Sequence, residues 1–441
     1  MITFFQSAKR YLLATLFLLS PFFAPLFAQD VEAAALAVER LLDQNGTTDI
    51  YQFVDKFMTT GADSATVRKI RALQADLKGL RDGIGLDLDD DGAILSLFAN
   101  GVEKRLRILY DFSQDVVTDL FIMAPEEKLV FDPDHPEEIL GFLKEQDMAG
   151  VIFIRQNGKI ILEAPFGMAN RALNQPNGLE TIFAIGSRPI DFTTAAILLL
   201  DQRSQLSLDD PIDQHLDQVP ADKKTMTLRH LMSGTSGLPD FFDLEQDWDP
   251  DLQWVDREEA VRRMMAQKLR FPPGEGRAHS HGAFGLLAAI IELTTGKTYL
   301  EFLQENFFTP AEMQRTGEYG DQQTFTITDF AEGGGPQLVG LPNIPPNWGP
   351  TSWLIKGSGG MYSTLGDLRK FYALIRNGDI FDEEHQRYFQ GTSVNVDGSM
   401  RGFELFSTYY PPHGEVFLFL NAPGDRNVRR KIFRALEQLM N

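Results

Sequence analysis

The feature that most constrains this chain is where its strand-like segments fall. "GVIFIRQNGKIILEAPF" (residues 150–166) reads as two strands turning at Asn157-Gly158. Some 230 residues later, "MRGFELFSTYY" and "EVFLFLNA" read as two more, joined through Pro411-Pro412-His413-Gly414. Between them, from residue 187 to about 310, apolar residues recur at helical spacing. Strands therefore come from both ends of this region, with a long helical middle inserted between them. Helical segments also flank the strands: "HPEEILGFLKEQDM" precedes the first pair, and the amphipathic "DRNVRRKIFRALEQLMN" closes the chain. The pattern predicts an α+β architecture.

The N-terminal part is organised differently. "VEAAALAVERLLDQN" and "SATVRKIRALQADLKGL" show helical spacing, and the period then changes to two. "IGLDLDDDGAILSLFANGVEKRLRILYDF" predicts three strands with tight turns at Asp91-Gly92 and Asn100-Gly101, and "DVVTDLFIMAP" a fourth. "DLDDDG" resembles the start of a calcium loop, but Phe98 stands at the twelfth position, where a bidentate glutamate is needed, so a solvated hairpin turn is expected. The proline- and charge-rich "APEEKLVFDPDHPEE" marks a boundary. We expect a small α+β domain over residues 29–135 and a larger domain over 136–441.

Residues 1–28 read as a secretory signal. Lys9 and Arg10 form the charged start, an apolar run follows, and Ala28 offers a small residue at a cleavage point. Pro21 and Pro25 interrupt the run and make it a poor spanning helix, so no stable membrane insertion is expected after cleavage. A periplasmic or secreted location follows. The chain contains no cysteine, which rules out disulfides, zinc–thiolate sites and a lipid-anchoring N-terminal cysteine. A net charge of −21 argues against nucleic acid or an anionic membrane as a partner, since both need a basic footprint.

One stretch invites a chemical reading. In "FAIGSRPIDFTTAAILLLDQ" (residues 183–202) a short apolar segment runs into Gly186-Ser187, and a long apolar helix follows. A serine at a helix mouth can present a nucleophile, or simply cap the helix. Asp191, one turn on, is a conceivable base or an ordinary acidic residue of a first turn.

Taken together, "FAIGS" with "FTTAAILLL", "LSLDDPI", "TLRHLMSGTSGLPDF", "FPPGEG", "GLLAAIIELTTGKTYLEFLQENFF" and "IKGSGGMYSTLGDLRKF" occur in an order that resembles the serine β-lactamase and penicillin-binding-protein-like hydrolases. The resemblance is to the branch of class C β-lactamases, D-alanyl-D-alanine peptidases and related esterases. It implies an antiparallel sheet flanked by helices, plus a helical subdomain. It also identifies His230 as a framework residue, and Ser187 with the nucleophile of that family's Ser-x-x-Lys motif. Ile190 stands in the lysine position. His279-Ser280-His281 occupy the Tyr-x-Asn positions, and Val396 the cationic position of the third motif, of which Gly398 remains.

The resemblance leaves two readings. In the first, the family base is gone and the protein is a non-catalytic relative that binds a small molecule or cell-wall peptide; this is the reading we favour from sequence. In the second, Ser187 works with His279 as base, an imidazole being competent near neutral pH. His281 then holds a substrate group or orients its neighbour, Arg188 or Lys356 replaces the missing cation, and the backbone near Gly398 and Ser399 serves the oxyanion. His279 and His281 also invite a metal reading, but apart from Glu275 no third ligand stands nearby in sequence. No metal and no cofactor are assigned.

Overall fold

The computed structural model describes residues 13–15, 38, 50–58, 63–77, 83–89, 92–99, 102–111, 114, 116–124, 128–240, 254–321, 324–335, 343–390, 393–398 and 401–440. The chain divides into two compact units, Met1–Glu127 and Lys128–Asn441.

In the first unit a short strand β1 (Leu13–Thr15) pairs in parallel with β2 (Gly83–Asp89). Among the described residues, the helices α1 (Ile50–Phe57) and α2 (Ser64–Asp76) lie between them in sequence. Asp63 caps α2 by accepting from the Ala65 and Thr66 amides. From β2 the sheet continues as an antiparallel meander through β3 (Gly92–Ala99), β4 (Val102–Asp111) and β5 (Val116–Ile122). Phe53, Val54, Ile70 and Leu73 pack against Leu95, Leu97, Leu106, Ile108 and Leu120 to form its core. Asp89 pairs directly with Gly92, so β2 and β3 are antiparallel partners on either side of the "DLDDDG" turn, whose Asp90 and Asp91 fall outside the described residues.

The second unit begins with helix α3 (Glu137–Glu145), then the hairpin β6 (Ala149–Gln156) and β7 (Lys159–Phe166). A small ribbon, β8 (Met168–Asn170) with β9 (Gln175–Pro176), leads to β10 (Phe183–Ala184). The helical middle follows: α4 (Pro189–Gln202), α5 (Leu228–Ser233), α6 (Arg257–Ala266), α7 (His281–Thr295) and α8 (Tyr299–Leu303). Strands β11 (Gly317–Glu318) and β12 (Met361–Ser363) form a three-stranded sheet with β10. Helices α9 (Leu365–Arg376) and α10 (Glu383–Gln386) then return the chain to β13 (Ser393–Gly398), β14 (Phe403–Tyr410), β15 (Gly414–Ala422) and the closing helix α11 (Arg426–Met440).

The two ends meet in one antiparallel sheet of order β13-β14-β15-β6-β7. β15 and β6 are the seam, with Phe417 opposite Phe153. Alternation along these strands sorts the side chains onto two faces. Val151, Phe153, Leu405, Phe417 and Phe419 join the helical core. Ile152, Ile154, Phe406, Val416 and Leu418 instead meet Ile139 and Leu143 of α3 and Ile432 and Leu436 of α11. Within the helical region, α4 from Ala195 to Leu200 and α7 from Gly282 to Ile291 are buried on every side. Two helices without a wet face are fixed by packing all round, which makes their N-termini rigid places to mount side chains.

Candidate active site

Ser187 sits in the turn between β10 and α4. Gly186 adopts φ +52°, a conformation open to glycine at little cost, and the chain reverses there into the helix. The Ile190 amide donates to the Ser187 carbonyl at 3.1 Å, so the serine lies at the helix mouth. Pro189 is accommodated because the first helical turn has no N–H bond to lose.

The imidazole facing this serine belongs to His281, not His279. Ser187 Oγ lies 3.2 Å from His281 Nε2, and His281 Nδ1 lies 2.8 Å from Asp240 Oδ2. Three side chains from three separate segments thus form one hydrogen-bonded chain. His281 and Asp240 are 15% and 14% exposed, so the chain is shielded but reachable from solvent. Burial pushes the Asp240 carboxyl up, yet the hydrogen bond from His281 and the charges of both histidines outweigh it and hold its pKa below the usual value. An ionised carboxylate only accepts, so Nδ1 carries a proton, and in the neutral ring Nε2 presents its lone pair to Ser187.

Local structure explains the choice of histidine. Ser280 is the N-cap of α7, with extended backbone at φ −148° and ψ 115°, and its hydroxyl accepts from the Ala283 amide. The same hydroxyl donates to the Pro239 carbonyl at 2.9 Å, latching the helix start to the loop that carries Asp240. The His281 amide, at the positive end of the helix, points to Asp240 Oδ2 at 3.3 Å. The loop is itself held: Gly237, at φ +79°, accepts from the Arg270 amide, and Gly234 from the Ala278 amide. His281 is therefore the first residue of a rigid helix, aimed at Ser187. His279 precedes the cap, is exposed, and rests its ring edge-on against His281 at 4.5 Å between centroids. Although the residue is exposed overall, the protein atoms packed against one side of its ring partly desolvate it and lower the His279 pKa; the neighbouring His281 adds to this, and Asp240 opposes it.

The other sequence candidates fall as follows. Arg188 does not face a substrate: its side chain is 1% exposed, and its guanidinium donates to Tyr372 Oη at 3.0 Å and Ser407 Oγ at 2.7 Å. It anchors the turn after Ser187 to β14. Asp191 accepts from Tyr372 Oη and lies 3.9 Å from Arg188, so it is engaged away from Ser187. Lys356 pairs with Glu318 at 2.8 Å, both nearly buried, and is no free cation. Ile190 packs against the helical core. Val396 and Gly398 lie on the edge strand β13, opposite Leu405 and Phe403, while Ser399 falls outside the described residues. His230 has a framework role, completing a capping box with Thr227 at the start of α5.

Asp240 is the residue that sequence reading missed. It ends the segment "TSGLPD", separated from His281 by 41 positions, and no local pattern marks their contact.

Known proteins bear on this arrangement. Residues 137–414 match the Beta-lactamase family. The chain is 26% identical over 339 residues to penicillin-binding protein 4* of Bacillus subtilis (strain 168), covering 69% of this chain and 74% of that one. It is 25% identical over 333 residues to the teichoic acid D-alanine hydrolase of Staphylococcus aureus, covering 70% and 80%. Among solved structures, the penicillin binding protein from Bacillus halodurans superposes with a TM-score of 0.58 at 23% identity, over 68% of this chain and 99% of that one. The D-amino acid amidase from Ochrobactrum anthropi, complexed with D-phenylalanine, gives 0.55 at 22% identity, over 69% and 98%.

Proposed function

The chain belongs to the Beta-lactamase family, and from that premise we propose that it is a serine hydrolase whose nucleophile, Ser187, is activated by His281 and Asp240. The observation that carries this reading is the continuous hydrogen-bonded chain Ser187–His281–Asp240. A serine hydroxyl is a poor nucleophile unless a base takes its proton as it attacks. The family's lysine position holds Ile190, and the imidazole at His281 supplies the missing acceptor.

The steps follow from the geometry. Ser187 Oγ attacks the carbonyl carbon of an ester or amide while its proton passes to His281 Nε2. The imidazolium so formed is stabilised by ionised Asp240, which keeps its charge throughout. The developing oxyanion is met by backbone N–H groups, for which the Ser187 amide and the end of β13 near Gly398 are the candidates. His281 returns the proton to the leaving group, leaving an acyl-Ser187. Water then attacks the acyl group, with His281 again as base and Ser187 as leaving group.

The substrate class we infer is a small acyl ester or amide of cell-envelope type. Relatives named for teichoic acid D-alanine hydrolysis and for D-amino acid amidase activity support this. We further propose export, with cleavage after Ala28. That cut removes β1 and leaves the meander β2–β5 complete. Among the described residues no helix is long and apolar enough to cross a membrane.

The test is hydrolysis of p-nitrophenyl acyl esters and D-alanyl anilides by the purified chain. Turnover that is abolished in Ser187→Ala supports the proposal. Absence of turnover on every ester and amide, in a folded protein, favours the ligand-binding reading to which the apolar Ile190 points.

A further inference from the structure

The sequence offers two histidines flanking Ser280 and, Glu275 apart, no third ligand beside them, but the fold supplies one. Asp240, His279 and His281 each place a donor atom so that all three lie within 4.8 Å of one another. We propose that these residues form a binding site for one divalent transition-metal ion of the zinc type, and that metal binding competes with activation of Ser187. The second half of this proposal rests on the hydrolase reading above; the site itself does not.

Two imidazoles and a carboxylate, with a position open to solvent, are a common donor set for zinc. Zinc–ligand bonds of about 2.0–2.2 Å require the donors to close to roughly 3–3.5 Å, so a modest movement is needed. His279 can supply it: it is exposed and held only by ring packing against His281 and Phe284 among the contacts described. Asp240 Oδ2 lies 2.8 Å from His281 Nδ1, close enough to share an ion, and need only swing off the line of the present hydrogen bond to let a metal reach that nitrogen.

The competition follows whichever nitrogen of His281 the metal takes. A metal on Nε2 uses the lone pair that must accept the Ser187 proton. A metal on Nδ1 takes the place of the ring's one N–H proton, which moves to Nε2, and Nε2 then donates where it must accept. In both cases no base faces Ser187.

The experiment uses the full chain stripped with a chelator. Cobalt(II) titration followed in the visible, and zinc titration by calorimetry, should each saturate at one equivalent. Zinc should displace cobalt. His279→Ala, checked for an unchanged far-ultraviolet spectrum and melt, should lose affinity by at least about tenfold. In the unsubstituted chain, one equivalent of zinc should slow fluorophosphonate labelling of Ser187 by about tenfold or more, reversibly on adding chelator. Absence of cobalt bands and of zinc heat at millimolar metal would overturn the site, as would undiminished binding in His279→Ala. Bound zinc that leaves the labelling rate unaltered would overturn the competition. If the metal-free chain takes no label, the hydrolase reading fails, and the two titrations still decide the site.

Discussion

At the scale of single residues, two histidines that look equivalent in the sequence have different places in the site. Only His281 is within hydrogen-bond reach of Ser187, and only its Nδ1 is held by Asp240. His281→Ala should therefore lower kcat/KM on an active ester by about three to six orders of magnitude. His279→Ala should cost at least about two orders less, because its ring touches His281 and not the serine. Asp240→Asn keeps the shape but lets Nε2 carry the proton, and should lower kcat by about 10⁴ with little change in KM. Steady-state kinetics of the three variants on one substrate checks all of this. Equal losses for the two histidines would contradict the assignment. Arg188 carries a different lesson. The sequence offered it as a replacement for the missing cation, yet it is buried just before α4 because β14 and α9 supply Ser407 and Tyr372 as partners.

At the scale of elements, the site depends on how helix starts are tied down. Ser280 both caps α7 and holds the Pro239 carbonyl. Ser280→Ala removes a cap and leaves a part-buried acceptor without its donor, so urea denaturation should show a loss of about 1–2 kcal/mol. Ser280 touches no reacting atom in this scheme, so it is a positioning residue. Its loss should lower kcat more than it raises KM, as slackened aim of His281 requires. A second tie joins α10 to α4 through His385, whose ring nitrogens lie 2.7 Å from Asp382 and 3.0 Å from Asp201. Burial works against the charged ring, but the two carboxylates prevail and raise its pKa above the ordinary histidine value. The resulting stabilisation is complete below that ordinary value and disappears as pH rises through the raised one. The urea midpoint difference between the native chain and His385→Gln should therefore be larger at pH 5.5 than at pH 9. A difference independent of pH would contradict this.

At the scale of the whole molecule, every residue of the proposed machinery lies in the second unit, which has its own cores on both faces of its sheet. Limited trypsin cleavage near Lys128 should leave a folded fragment that still takes a fluorophosphonate on Ser187. Loss of labelling on cleavage would assign the first unit a part in the site. The plan of this unit was legible because it rests on periodicity: strands of period two at both ends, helices of period 3.6 between them, and a run of segments resembling one family. The serine was legible for the same reason, since Gly186-Ser187 stands just before a long apolar helix. Asp240 was not, because its contact with His281 is made by a loop folded back over 41 positions, and nothing local encodes that closure. The choice of His281 over His279 depended on where α7 begins, and helix boundaries are the least certain part of a periodic pattern.

The decisive measurement on Ser187 and its base is intact-mass labelling of the chelator-treated chain with a fluorophosphonate, beside the Ser187→Ala, His281→Ala and His279→Ala variants. The account predicts one adduct per chain on Ser187, none in Ser187→Ala, a severely slowed reaction in His281→Ala and a retained one in His279→Ala. A folded chain that takes no adduct, or one whose labelling is indifferent to His281, would contradict it.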